Sequence, residues 1–175
     1  IYYSEWFWAK ALFVLRHDSA VRQAAYSWVE HCDWITALMT GTTHPKVFKA
    51  GRCAAGHKVM WHESWNGYPP NDFFVGIDPL LDGLRDKLPL ETCTSDKICG
   101  QLTPEWAQHL GLSTEVIVSF GSFDCHAGAV GANVKPGVLT KVMGTSTCDI
   151  TVASYEDIGE RCIKGICGQV DGSVL

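Results

Sequence analysis

Two short stretches of this chain combine residue types that can do chemistry. Asp124 follows the apolar β-branched run Val116 to Phe120 and opens the small-residue run Cys125 to Ala132. A carboxylate just past the end of a strand and at the head of a helix stands where open α/β folds place ligand chemistry. Asp also fills helix N-cap positions well. The two roles are compatible, because one oxygen can be held while the other accepts a proton. The second stretch is Gly144-Thr145-Ser146-Thr147, between two strand-like segments. It can present backbone N–H groups and hydroxyls to a phosphate, although such Gly-hydroxyl hairpins also serve as plain turns. Only one helix and one strand separate the two stretches, which would bring a base for a hydroxyl close to a cradle for a phosphate.

A third set of candidates lies between Thr42 and Asp72, where Gly51, Gly56, Gly67, Pro69 and Pro70 interrupt short polar and aromatic runs. The segment reads as irregular and loop-rich. Loops on a rigid scaffold often carry binding residues, which singles out Arg52, His57, Lys58, Trp61 and His62. A lone loop lysine is ordinarily just solvated.

The elements that must position these residues are legible in part. Glu5 to Arg16 reads as a mostly buried helix with an aromatic start. Ser19 reads as the N-cap of a second helix whose apolar spacing runs from Ala24 through Trp28, Cys32 and Ile35 to Leu38 and closes at Gly41. Phe73 to Leu84 predicts a short helix restarted at Asp78-Pro79, and Thr103, Pro104 and Gly111 bracket another over 104–110. Val116 to Phe120 predicts a strand buried in a sheet and ending at Gly121. A tight turn and a helix follow from Asp124, then strands over 138–143 and 148–153. The Gly/Pro turn over 133–137 marks a domain boundary, with 1–134 in one domain and 135–175 in the next. The apolar start at Ile1 and the stop after a Gly-rich turn read as cuts in a longer chain.

Composition narrows the function classes. With 175 residues, 46% of them hydrophobic and 19% charged, the chain can bury a core, and intrinsic disorder is excluded. No apolar stretch approaches the roughly 18–20 residues of a membrane span, so a soluble protein is expected. The net charge of −5 with dispersed Lys and Arg gives no footprint for nucleic acid. Eight cysteines sit among seven tryptophans without a Cys-x-x-Cys pair. Cys32, Cys125 and Cys148 lie in patterned segments where a thiol behaves as a small buried apolar group, and Cys93/Cys99 and Cys162/Cys167 are too widely spaced for a zinc knuckle. These features predict a reducing cytoplasm and no bound structural metal.

Several segments together resemble the FGGY carbohydrate kinase family, and within it the bacterial kinases of L-ribulose. They are Trp34 to Thr43, Ala54 to Trp65 with its Gly-His-Lys step, Phe123 to Gly131, Met143 to Ile150 and Gly165 to Val174. The resemblance covers essentially the whole chain. It implies an α/β fold, part of a two-domain actin-like ATPase in which sugar and MgATP meet in a cleft. The chain would span the end of the sugar-binding domain and the start of the nucleotide-binding domain. It implies Asp124 as the catalytic base for the sugar's terminal hydroxyl, and Lys58 as a contact to the ketopentose. Gly144, Thr145 and Ser146 would form the loop at the ATP phosphates, and Trp6 would lie near the sugar. The implied reaction is ATP-dependent phosphorylation of L-ribulose to L-ribulose 5-phosphate in cytoplasmic L-arabinose catabolism. Another pentulose or a pentitol as substrate, or a non-catalytic sugar-binding fragment, are the alternatives. The family's first phosphate loop, its adenine-binding part and a sugar-contacting Glu expected beyond Leu175 are missing here. Apolar helix surface around Trp6 and Trp28 would therefore be uncovered, favouring aggregation or a homodimer.

Overall fold

A computed structural model describes residues 4–158. The motif segment 165–174, with Cys162 and Cys167, lies outside them. The chain begins with helix α1 (Phe7–His17), which buries Phe7, Trp8, Ala11 and Leu15 along one face. Asp18, rather than Ser19, caps α2 (Ser19–Ala24), its Oδ1 accepting the Val21 N–H at 2.9 Å.

The single helix expected from Ser19 to Gly41 is two helices. The backbone turns extended at Ala25 (φ −69°, ψ 119°) and becomes helical again only in α3 (His31–Thr40), which ends at Gly41 with φ +71°. The intervening Tyr26, Ser27, Trp28 and Val29 are weak helix formers. Tertiary contacts there outweigh the apolar spacing: Ser27 Oγ donates to the Lys87 carbonyl at 2.9 Å, and Trp28 packs on the core.

The loop-rich stretch contains unexpected structure. Strand β1 (Ala50–Gly51) leads directly into α4 (Arg52–Lys58), whose Cys53, Ala54 and Ala55 are buried. Helix α5 (Asn71–Ile77) is followed by a short 3-10 turn at Pro79–Leu81, with Asp78 Oδ1 accepting the Leu80 N–H at 2.8 Å, as the Asp-Pro restart predicts. Strands β2 (Thr92–Cys93) and β3 (Ile98–Gln101) precede α6 (Pro104–Leu110), which has the expected Thr103 cap and Gly111 at φ +67°. Then come β4 (Ile117–Ser119), α7 (Asp124–Gly131), β5 (Leu139–Met143), β6 (Thr147–Thr151) and α8 (Tyr155–Ile158).

The architecture is mixed α/β with small sheets. Among the described residues the strands form three pairs: β1 parallel to β2, β3 antiparallel to β4, and β5 antiparallel to β6. The burial expected for the Val116–Phe120 strand is therefore not found. Ile117 is 60% exposed, because a two-stranded ribbon covers only part of each strand's surface. Phe120, at the strand's end, is buried. Among the described residues Cys53 and Cys99 are the buried thiols, while Cys32, Cys93, Cys125 and Cys148 are half-buried.

The main core gathers α1, α4 and α5. Trp8 stacks on Phe74 at 3.9 Å between ring centroids and donates its indole N–H to the Val59 carbonyl at 2.8 Å. Each large apolar side chain buried here contributes roughly 1.5–3 kcal/mol. A second junction sits beside this core. A Cβ on Gly51 would stand 2.7 Å from Asp33 Oδ1, and one on Gly121 would stand 2.6 Å from the Cys32 carbonyl oxygen. Neither position has room for a side chain, so the head of α3, β1 and the loop after β4 meet at backbone distance. Helices α4 and α7 both leave from this junction.

Candidate active site

From that junction α4 runs toward Lys58 at its last residue, and the chain after Gly121 reaches Asp124 at the first residue of α7. Asp33 fixes the junction, its buried carboxyl accepting the Gly51 N–H at 3.0 Å. Burial raises that carboxyl from its ordinary 3.8 to about 7; the Gly51 hydrogen bond opposes the rise and the charge of Glu30 adds to it. Asp33 is thus a protonatable group inside the scaffold.

Cys53 ties the two helices together. Its sulfur accepts the Phe123 N–H at 3.4 Å and lies 2.9 Å from His126 Nδ1. Phe123, not Asp124, holds the N-cap position of α7, and its side chain makes no capping bond. The Asp124 carboxylate instead accepts the N–H of Cys125 at 2.8 Å through Oδ1. The side chain is exposed. One oxygen is oriented by backbone, but the N-cap role expected for Asp124 is not found.

Phe123 links this carboxylate to the other candidates. The Lys58 ammonium lies 4.4 Å from the Phe123 ring centroid, within cation–π range. The His57 ring meets three aromatic neighbours: Trp6 at 5.2 Å, Phe123 at 5.5 Å and His126 at 4.9 Å. Burial, then the nearby His126 and Lys58, lower the His57 pKa to about 4. The imidazole is neutral at physiological pH, and its Nδ1 is a buried atom without a hydrogen-bond partner among the described residues. Trp6, His57, Lys58 and Phe123 therefore form one connected group of side chains, and Asp124 follows Phe123 in the chain.

The other loop candidates serve the scaffold. Arg52 donates to Thr92 Oγ1 at 3.1 Å and to the Thr92 carbonyl at 3.2 Å, and its guanidinium lies 4.9 Å from the Trp61 ring. Trp61 donates its indole N–H to the Leu90 carbonyl at 2.7 Å, and His62 Nδ1 accepts the Ser64 N–H at 3.1 Å.

Gly144, Thr145 and Ser146 form the tip of the β5–β6 hairpin, closed by the Gly144 N–H donating to the Ser146 carbonyl at 2.9 Å. Thr147, expected in the loop, is the first residue of β6. The hairpin packs on α7, where a Cβ on Gly128 would stand 3.6 Å from the Val142 side chain. Burial, then the neighbouring Cys148 thiol, pushes the thiol of Cys125, the neighbour of Asp124, up to about 11, and Cys148 pairs with Val142 across the hairpin. The tip exposes the Thr145 and Ser146 hydroxyls, donors of the type a phosphate takes. Among the described residues no group of three His, Cys, Asp or Glu side chains is placed to hold a metal, and no helix is long and apolar enough to cross a membrane.

A cavity of about 190 Å³ opens beside Lys58, with Glu5, Lys10, Trp28 and Glu30 also in its lining. Larger hollows of about 500 and 580 Å³ lie by Trp106 on α6 and by Pro45, Lys49 and Pro89, away from Trp6, Lys58 and Asp124. Chemistry rather than size marks the smaller one. Sequence reasoning missed Cys53, Phe123, His126 and Glu30, whose importance arises from contacts between segments distant in the chain. The adjacency of Phe123 and His126 to Asp124 was the one local signal available.

The chain matches no protein-family model. It is similar along its whole length to curated ribulokinases. It is 51% identical to the ribulokinase of Vibrio parahaemolyticus, with all of this chain aligned to 31% of that protein. It is 35% identical to that of Shouchella clausii (99% of this chain, 30% of the relative). It is also 35% identical to that of Halalkalibacterium halodurans (98% and 29%). The chain thus spans about 30% of the length of the curated relatives it matches.

Proposed function

We propose that this chain is the central segment of an ATP-dependent FGGY-type kinase that phosphorylates L-ribulose to L-ribulose 5-phosphate. The coarser part, similarity to carbohydrate kinases named ribulokinase, rests on the whole-length alignment. The finer part is supported by one geometric observation: Phe123 seats the Lys58 ammonium against its ring and directly precedes Asp124, the proposed proton acceptor, in the chain.

In this reading Lys58 donates to hydroxyls of the ketopentose while Trp6 and Phe123 offer apolar ring surface. Asp124 accepts the proton of the terminal hydroxyl as that oxygen attacks the γ-phosphate. The Gly144–Ser146 tip supplies N–H and hydroxyl donors to phosphate oxygens. Phosphoryl transfer depends chiefly on positioning and charge stabilisation, and a carboxylate that takes its proton late needs no large pKa shift. The two-domain actin-like architecture, with residues 1–134 on the sugar side and 135–175 on the nucleotide side, completes the proposal. Under it the chain acts in the cytoplasm in L-arabinose use.

The test is ADP release by the full-length kinase with L-ribulose, D-xylulose, D-ribulose and ribitol offered separately with MgATP. Highest kcat/KM with L-ribulose supports the reading. A preference for another pentulose or for ribitol overturns the substrate assignment, and no turnover with any of them overturns the kinase assignment.

A further inference from the structure

One buried atom holds the start of α7 on both sides of Asp124. Cys53, in the first turn of α4, is 1% exposed, and its sulfur accepts the N–H of Phe123, the residue before Asp124, at 3.4 Å. The same sulfur lies 2.9 Å from Nδ1 of His126, two residues after Asp124. His126 is buried as well. These partners stand 70 and 73 residues from Cys53 in the chain, so the clamp exists only in the folded molecule.

The helix does not fix this start by itself. Phe123 holds the N-cap position without a side-chain capping bond, and the N–H of an N-cap residue is one of the donors a helix leaves without an internal partner. The Cys53 sulfur satisfies it. The exposed carboxylate of Asp124 accepts the N–H of Cys125, a bond inside its own helix that turns the side chain but does not set where the helix begins. Burial pushes the Cys53 thiol up to about 12, the Phe123 hydrogen bond opposing the rise. At neutral pH it is therefore a thiol. Only the thiolate is a nucleophile or a metal ligand, so this sulfur holds its neighbours and does not react with them.

We propose that Cys53 is a positioning residue for phosphoryl transfer, its sulfur pinning Phe123 and His126 to α4 and thereby setting where the Asp124 carboxylate stands. This rests on the reading of Asp124 as the proton acceptor. A general base must stand within hydrogen-bond reach of the proton it takes, and a misplacement of about 1 Å costs on the order of 100-fold in rate. Without the sulfur the Phe123 N–H is left beside α4 with no acceptor, and the start of α7 shifts to find one. The effect falls on turnover rather than on binding, because the group displaced is the one that takes the proton.

The experiment is a double-mutant cycle in the full-length kinase, with Cys53→Ala, Cys53→Ser and Asp124→Asn made singly and each Cys53 variant combined with Asp124→Asn, assayed with L-ribulose and MgATP. Ala and Ser both give up the volume of the sulfur, but only Ser keeps an acceptor for the Phe123 N–H. Cys53→Ala should lower kcat by about 10- to 100-fold and leave KM for L-ribulose and for ATP within about three-fold. Cys53→Ser should stay within about five-fold of the unaltered kcat. In the Asp124→Asn background, where no base remains to be placed, Cys53→Ala should cost less than about two-fold. A loss of the same size in both backgrounds, or equal losses for Ala and Ser, would mean that Cys53 supports the fold at large, and either result overturns the proposal. If Asp124→Asn is slow while Cys53→Ala keeps its kcat, the Cys53 assignment alone falls. If Asp124→Asn itself turns over normally, the reading of Asp124 as the base falls and the Cys53 assignment with it. Should Cys53→Ala prove insoluble, Cys53→Val, which fills the space without an acceptor, takes its place in the same cycle.

Discussion

The Lys58 ammonium lies 4.4 Å from the centroid of the Phe123 ring, although the two residues belong to different helices. Phe123 immediately precedes Asp124, so the contact joins the end of α4 to the start of α7. It depends on the Gly51–Asp33 and Gly121–Cys32 junctions, which launch α4 and α7 from one place.

Asp124→Asn in the full-length kinase should fold normally and lose most turnover. The amide oxygen can still accept the Cys125 N–H that Oδ1 accepts now, but an amide cannot take the sugar's proton. Removing a general base typically costs 10²- to 10⁴-fold. Steady-state kcat, with circular dichroism as the folding control, checks this; turnover near the unaltered level in a folded variant would take Asp124 out of the mechanism.

Sugar and phosphate contacts should separate by mutation. Lys58→Met is expected to weaken L-ribulose binding, each lost hydrogen bond removing on the order of 1 kcal/mol, and to leave ATP affinity little changed. Thr145→Val, at the hairpin tip, should do the reverse. Titration calorimetry of both variants with both ligands decides it, and a shared ligand dependence would mean one assignment is wrong.

Asp33 predicts a pH dependence of stability. Its folded-state pKa of about 7 stands above the ordinary 3.8 because of burial. An acid raised in this way stabilises the fold fully below about pH 4. The contribution is lost as pH rises toward 7 and is flat beyond. Asp33→Asn stays neutral and can still accept the Gly51 N–H, so it should remove a slope of about 1.4 kcal/mol per pH unit across that window. Urea unfolding midpoints at pH 5 and pH 8 test it: the variant should gain on the unaltered protein at the higher pH, and an equal gap at both would mean Asp33 is already ionised in the fold.

The 175-residue chain alone should bind MgATP weakly and show no kinase activity. One Gly-Thr-Ser tip offers a phosphate only part of the contacts a nucleotide needs, and each missing charge-assisted bond costs roughly 1.5–3 kcal/mol against about 8 kcal/mol for a micromolar site. Apolar groups such as Phe13, Tyr26 and Trp34 are exposed on its helices, while Trp6 and Trp28 are half-buried, so self-association is expected too. Calorimetry on monodisperse protein, with and without L-ribulose, is the check. A dissociation constant tighter than about 100 µM, on the same affinity scale, would reveal a nucleotide site that Gly144, Thr145 and Ser146 do not account for.

The sequence by itself determined what local chemistry controls. Thr103, Pro104 and Gly111 delimit α6, Asp78 and Pro79 restart the chain after α5, and Gly41 ends α3, because caps and turns act over a few residues whatever surrounds them. The motifs around Lys58 and Asp124 were legible for the same reason: they are contiguous strings. Tertiary structure decided the rest. The apolar spacing through Trp28 predicted one helix, and docking of Ser27 on Lys87 broke it, which puts Glu30 at the N-cap position of α3, where its side chain makes no capping bond. The glycine-interrupted stretch read as loop, and burial of Cys53, Ala54 and Ala55 made it α4. The meeting of Lys58 with Phe123 follows from two glycine junctions and the Cys53 sulfur. These are interactions between segments far apart in the chain, and no periodicity within either segment encodes them.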